Sequence, residues 1–446
     1  GILMKKIIAI TAMAAMVAAA AMADEPDVDL KIAEISGNAS VTWGVDLGAP
    51  GVGGGRTGFK NGVDAKLKVN IANGGSKLTE GEGVWGELEV KVGDALVAEQ
   101  GEIKGGKAAI ETAKLHIGDL YIGIKSGDAQ VGGLNLPNAI RSDKAGVDAK
   151  GQKDVTEGVV IGYGNDLFGI DVDFRSAPDS TKKDYYTDDY ALAAEAQLKD
   201  LAGFSAKAGA SYAIKSKTLG LFGTAAYKLA LGDNYLKVTA GAGFDKVGSG
   251  SLGNGQLGAS VVFGWGDEAD ANAGVYYLDN DEAKKVTPGV GVAVNVPLYK
   301  KTVIDIVPSF YSGEIIPNLT AAVVGDIELP VGIDNANMGI GLAAGVSYKL
   351  AVGDAITITP KAGFRFANEN YTTVGKASSI IYKANTDNSG LDDWTKDDAG
   401  LINVKAGVEV GGLIPNTTFT AEYQSRNFKA AEGGAGTFNI TAKIAL

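Results

Sequence analysis

Apolar and polar residues alternate along most of this chain. Ala39, Val41, Trp43, Val45 and Leu47 alternate with Ser40, Thr42, Gly44 and Asp46. Val63, Ala65, Leu67, Val69 and Ile71 are interleaved with Asp64, Lys66, Lys68 and Asn70. Val84, Gly86, Leu88, Val90 and Val92 alternate with Trp85, Glu87, Glu89 and Lys91. Near the other end, Ile402, Val404, Ala406, Val408 and Val410 alternate with Asn403, Lys405, Gly407 and Glu409, and Phe438, Ile440, Ala442, Ile444 and Leu446 with Asn439, Thr441 and Lys443. A strand points successive side chains to opposite faces, so each run has one apolar and one polar face. A helix would scatter the same residues around its axis. Each segment has the roughly nine to eleven residues that a tilted strand needs to cross a bilayer.

Between the runs stand two kinds of connection. Leu231-Gly232-Asp233-Asn234 and Val352-Gly353-Asp354 are tight-turn sequences, since glycine and Asx residues accept positive φ. Gly220 to Phe244 and Gly341 to Phe364 share a Tyr-Lys-Leu-Ala block followed by Gly-Asp and Ala-Gly-Phe, one hairpin unit used twice. Other connections are long and polar: Arg141 to Glu157, Ser176 to Asp189, Asp245 to Gln256, Asp279 to Pro288 and Asn368 to Gly400. These features predict an all-β fold, a large antiparallel transmembrane β-barrel of roughly 16–20 strands with short turns at one rim and long polar loops at the other. A soluble sandwich shares the alternation, so the contrast between the rims carries that prediction.

Composition narrows the picture. Glycine is 64 of 446 residues and proline only 11, which suits close-packed strands better than disorder. The formal charge of −12 repels phosphate backbones, so no nucleic-acid partner is expected. The absence of cysteine removes disulfides, a lipid-anchored N-terminal cysteine and thiolate chemistry. Lys5 and Lys6, an apolar run and Ala21-Met22-Ala23 form an export leader, with cleavage expected between Ala23 and Asp24. Residues 1–23 are thus read as upstream residues and signal peptide, and 24–446 as one barrel. No later apolar run is long enough for a membrane helix.

Catalytic and metal chemistry find little to use. His116 is the sole histidine, among Lys114, Leu115 and Ile117 on a strand, where a polar wall position is its reading. The acidic groups Asp267/Glu268/Asp270, Asp279/Asp281/Glu282 and Asp392/Asp393/Asp397/Asp398 lack EF-hand spacing. No enzyme activity, cofactor or metal is expected. A pore needs only a polar lumen. If the apolar faces meet lipid, Lys66, Lys68, Glu87, Glu89, Lys91, Lys405 and Glu409 line it. Trp43, Tyr121, Tyr212, Tyr235, Phe364, Phe419, Tyr423 and Phe438 sit near strand ends and are candidates for the interfacial aromatic girdles.

Three N-terminal blocks carry a resemblance: Gly37-Asn38-Ala39-Ser40-Val41-Thr42-Trp43-Gly44-Val45-Asp46-Leu47-Gly48, Gly58-Phe59-Lys60-Asn61 and Glu82-Gly83-Val84-Trp85-Gly86-Glu87-Leu88. In order and spacing they resemble the treponemal major outer sheath protein family (Msp and the Tpr proteins). The resemblance implies an outer-membrane porin in contact with outer-membrane lipid, often a homotrimer. It also implies surface loops that act as antigens and bind host matrix proteins such as fibronectin. The family is divided into an N-terminal region, 24–215 here, and a C-terminal region, 216–446. Whether the former lies in the barrel or partly in the periplasm is argued both ways, and the strands in both halves favour a single barrel. A surface adhesin with the barrel as a mere anchor is the alternative function.

Overall fold

The computed structural model describes residues 33–47, 56–72, 84–93, 97–99, 102–104, 107–126, 157–178, 187–214, 217–247, 254–265, 269–270, 285–286, 288–298, 302–313, 315–353, 355–370, 400–425, 428 and 436–445. The leader and its cleavage point at Ala23 and Asp24 lie outside them.

Twenty antiparallel staves form one sheet among these residues. In chain order they are β1 (Ala33–Asp46), β2 (Arg56–Ala72), β3 (Val84–Gly93), β4 (Lys107–Ile117) and β5 (Leu120–Ser126). Then come β6 (Glu157–Gly164), β7 (Phe168–Pro178), β8 (Thr187–Leu201), β9 (Phe204–Ala213) and β10 (Thr218–Leu231). The second half holds β11 (Asn234–Val247), β12 (Asn254–Trp265), β13 (Gly289–Pro297), β14 (Thr302–Tyr311) and β15 (Leu319–Val331). β16 is interrupted, Gly339–Tyr348 and Leu350–Val352 both pairing with β17 (Ile356–Ala367). β18 (Leu401–Ile414), β19 (Thr417–Gln424) and β20 (Thr437–Ala445) complete it. Each stave pairs with its sequence neighbours, and β1 pairs with β20 from Asn38↔Ala445 to Asp46↔Thr437. The sheet therefore closes, and no stave is left with an open edge. Two small ribbons, Val97–Glu99 with Glu102–Lys104 and Ala269–Asp270 with Lys285–Val286, stand apart from it.

The polarity of the wall is reversed from that of a water-soluble core. Ile122, Ile161 and Val172 are 44%, 58% and 47% exposed and stand side by side on β5, β6 and β7. One residue along, Asp173 is 1% exposed. The same alternation gives an exposed Leu192 beside a buried Glu195, and an exposed Val323 beside buried Val324 and Asp326. The well-exposed large apolar side chains point outward, and the buried charged and hydroxyl groups point inward together with some apolar ones, Phe222, Val262, Val307 and Val324 among them. An outer surface of this kind is stable only against a nonpolar medium. No helix among the described residues is long and apolar enough to cross a membrane, and strands do the crossing here.

Connections alternate between the two rims, so the topology sorts them. One rim bears the tight turns 117–120, 164–168, 201–204, 231–234, 352–356 and 414–417. Gly232 takes a φ of 69°, as the first central position of such a hairpin demands. At 201–204 both central residues are left-handed, Ala202 at 53° and Gly203 at 85°, and the Asp200 carboxylate accepts the Gly203 N–H at 2.8 Å. The other rim carries the connections 126–157, 178–187, 247–254, 367–401 and 424–437. Four of the loops expected from sequence fall there. The fifth, Asp279 to Pro288, does not. It belongs to the 265–289 connection, which the strand count puts on the tight-turn rim. Polarity and length identify a loop, but the parity of the preceding strands decides its side.

Outward aromatics gather toward both rims. Phe168, Phe204, Tyr227 and Tyr348 lie near the tight-turn ends, and Phe174, Tyr190, Tyr212 and Phe364 toward the loop ends, all well exposed. Phe174 stacks on Tyr190 at 5.4 Å and 14°. Phe263, Trp265 and Phe310 cluster at the turn rim, and the Trp265 indole N–H donates to the Ser312 carbonyl at 2.8 Å. From Phe204 to Tyr212 is about 26 Å along the strand at ~3.3 Å per residue, or about 20 Å once a ~40° tilt is allowed for. That is close to the apolar band of an outer membrane.

The outward face makes a direct prediction. Ile161→Arg should destabilise the folded protein by about 2–4 kcal/mol, the cost of a cation near the bilayer midplane. Thr420→Arg, on a polar lumen position, should cost far less. Urea unfolding in lipid vesicles measures both, and equal costs would refute the assignment of faces.

Candidate functional site

Among the described residues the inner wall combines charge with enclosure, so it is the candidate site. Its chemistry starts from cross-strand pairs, because residues directly opposite on one face stand about 4.5–5.5 Å apart at Cβ. On β17, β18 and β19 the inward positions alternate sign. Lys361 Nζ meets Glu409 Oε2 at 2.6 Å, and Lys405 Nζ meets Glu422 Oε1 at 2.9 Å. Lys405 and Glu409, singled out from sequence, are therefore inward and both ion-paired. Beyond them the Arg365 guanidinium donates to Asn403 Oδ1 at 3.3 Å, and the Asn403 amide donates to the Ser425 carbonyl. At the closing seam the Thr42 and Thr441 hydroxyls meet at 2.8 Å.

A second group lies on β4 to β9. Asp171 stands opposite Glu195, and Lys207 Nζ reaches Glu195 Oε1 at 2.6 Å. The Tyr121 hydroxyl donates to Asp171 Oδ1, and Lys114 Nζ lies 4.9 Å from the Tyr121 ring centre. His116 packs against the same ring at 5.5 Å between centroids. It is thus a wall residue in a polar cluster.

Two of the expected girdle aromatics are corrected here. Tyr121 and Tyr235 point into the barrel, not toward the interface. Both sit on the polar parity of their strands, and each ring lies over a glycine of the next strand, Gly162 for Tyr121 and Gly264 for Tyr235. Lys228 Nζ sits 4.2 Å from the Tyr235 ring centre. Placement near a strand end does not set the face; parity does. Trp43, Tyr212, Phe364, Phe419, Tyr423 and Phe438 are on outward parity, with Tyr423 directly opposite Phe438. Lys66, Lys68, Glu87, Glu89 and Lys91 lie on β2 and β3, and their side chains fall outside the described set. Their backbone register sets Lys66 opposite Lys91 and Lys68 opposite Glu89.

A third group was not singled out from sequence. Asp305 on β14 stands directly opposite Glu328 on β15, and Asp326 is on the same face. They are 6%, 0% and 1% exposed. The signal was present in Val303-Ile304-Asp305-Ile306-Val307 and Asp326-Ile327-Glu328, single carboxylates at strand period. Nothing in the sequence pairs the two strands. Among the described residues no group of acidic or histidine side chains is arranged to hold a metal ion.

No protein-family profile matches the chain. It is 26% identical to the major outer membrane protein MspA of Treponema maltophilum, an alignment covering 99% of this chain and 100% of that protein. It is 39% identical to the major surface protein MspTL of Treponema lecithinolyticum, over 40% of this chain and 32% of that one. Among solved structures, Pseudomonas aeruginosa OpdQ aligns over 94% of this chain and 98% of its own, at 11% identity and a TM-score of 0.41. Pseudomonas aeruginosa OprD aligns over 94% and 96%, at 10% identity and a TM-score of 0.40. The closed sheet follows from this chain's own strand pairing.

The wall geometry yields a stability test. Gly162→Ala would place a methyl against the Tyr121 ring and pull it from Asp171, so thermal stability in detergent should fall clearly. Replacing the ring as well, with Tyr121→Ala, should recover part of that loss, because the two residues share one contact. Strictly additive losses would show that the ring does not sit over Gly162.

The closed strand ladder with its apolar outer belt and the whole-length similarity to MspA converge: the chain is similar to treponemal major outer-membrane and surface proteins and is itself an outer-membrane β-barrel.

Proposed function

We propose that the protein is a porin, a passive path for small polar solutes across the outer membrane. The observation that carries this reading is the reversed wall: ion pairs such as Lys361–Glu409 and Lys405–Glu422 line the inside while aliphatic residues cover the outside. Charged groups on an inner wall call for water, and a hydrated lumen open at two rims conducts. The whole chain after the leader, including strands of the 24–215 region, acts as one barrel, since β1 supplies the seam with β20. The long connections on one rim face the outside. Any antigen or matrix-binding role implied by the resemblance to the outer sheath proteins resides in them.

The protein, folded into detergent and added to a planar bilayer, should produce stepwise ion conductance in simple salt. Well-folded protein, with heat-modifiable gel mobility, that never conducts would refute the porin reading and leave a barrel that only anchors surface loops.

A homo-oligomer is part of the same proposal. Outward positions on β8 to β11 are small at mid-membrane: Ala196, Ala206, Ala208, Gly223, Ala225, Ala240 and Ala242 line a shallow depression of about 570 Å³ edged by Phe168 and Leu198. Small residues let a second wall approach closely within a bilayer. Ala208→Trp should weaken the oligomer captured by cross-linking in native membranes while leaving the monomer folded. An unchanged cross-linked species would move the interface elsewhere.

A further inference from the structure

The turn-rim half of the inner wall is basic on β8 to β11. Its inward positions carry Lys199, Lys207, Lys228 and Lys237 against one carboxylate, Glu195. Glu195 is taken by Lys207 at 2.6 Å, and Lys199 Nζ donates to the Asn165 carbonyl at 2.6 Å. Lys228 and Lys237 differ. They stand directly opposite each other across β10 and β11, where Cβ atoms are about 4.5–5.5 Å apart and like charges repel. Among the described residues neither is ion-paired. Lys228 Nζ rests on the Tyr235 ring, 4.2 Å from its centre, and that ring brings no anionic charge. The carboxylates nearest in the chain, Asp200 and Asp233, lie in the turns, and Asp200 accepts the Gly203 N–H. Both lysines reach water: Lys228 is exposed and Lys237 half-buried. Beside them a row of small residues crosses the wall, Ser205, Ala226, Thr239 and Ser260, three of them hydroxyl-bearing. The next two staves, β12 and β13, contain no charged residue.

We propose that Lys228 and Lys237 form a station for the oxyanion of a permeating solute, a doubly charged group of the phosphate kind, at the tight-turn mouth of the pore. This rests on the porin reading and names a solute class for it. Two ammonium groups placed side by side repel, and a dianion between them turns that repulsion into two charge-assisted contacts. A lysine carries three rotatable N–H donors on a flexible stem, so the pair can close on phosphate oxygens without a preformed fork. The Ser205 and Thr239 hydroxyls alongside supply further donors. Because the ammonium groups meet water in the lumen, an anion can both reach them and leave, as permeation requires.

The test uses the full-length barrel in a planar bilayer in potassium chloride, with inorganic phosphate or acetate added to both chambers. Phosphate should reduce the wild-type current at concentrations where acetate leaves it unchanged. Lys228→Gln/Lys237→Gln should need about tenfold more phosphate for half reduction, the loss of one charge-assisted contact. Its reversal potential across a potassium chloride gradient should shift toward cation preference. The double variant removes a like-charge contact, so it should fold at least as well as the wild type, and Lys237→Gln alone should move both readouts the same way. A conducting pore whose phosphate response and reversal potential are the same in wild type and variant would overturn the station and leave the porin reading intact. Acetate as effective as phosphate would overturn the grip of two lysines on one dianion. A folded wild type that does not conduct would overturn both the station and the porin reading.

Discussion

The constraint on which everything else depends is that a strand in hydrocarbon has no water to satisfy its backbone. Every N–H and C=O must find a partner in the next strand, so the sheet must close. In this protein closure falls on one ladder, from Asn38↔Ala445 to Asp46↔Thr437, with the Thr42 and Thr441 hydroxyls meeting across it. The first described stave thereby becomes the neighbour of the last. Twenty is an even number, so antiparallel alternation survives the closure. The β1 start and the β20 end therefore share the tight-turn rim.

Once the ring is closed, each strand has an inside and an outside, and period two does the sorting. The outside needs only apolarity, and two aromatic bands set its height. The inside has a harder problem, since charges held in a wall need partners or water. On β17 to β19 lysine and glutamate pair across strands. On β4 to β9 Tyr121, Asp171, Glu195 and Lys207 form one connected group. Tyr121 and Tyr235 fill the space over facing glycines, which shows why so glycine-rich a wall need not be hollow. On β14 and β15 the acidic residues Asp305, Asp326 and Glu328 gather on one buried face.

The sequence by itself determined the strands and their faces. Alternation in segments such as Val84–Val92 and Ile402–Val410 is a property of neighbouring residues, and the pleat translates it into two faces with no further information. The tight turns at Leu231–Asn234 and Val352–Asp354 were equally legible, because positive φ is a local demand. Length, polarity and the contrast between short and long connections gave the barrel class, and the three N-terminal blocks gave the kinship. The tertiary structure decided whatever depends on partners distant in the chain. Which strand closes on which, and which rim a loop joins, follow from strand count, as the 265–289 connection shows. Whether an aromatic near a strand end faces lipid or lumen follows from register, as Tyr121 and Tyr235 show. That Asp305 meets Glu328 while Glu409 meets Lys361 follows from cross-strand pairing. Local periodicity fixes where a side chain points, but only the closed ladder fixes what it points at.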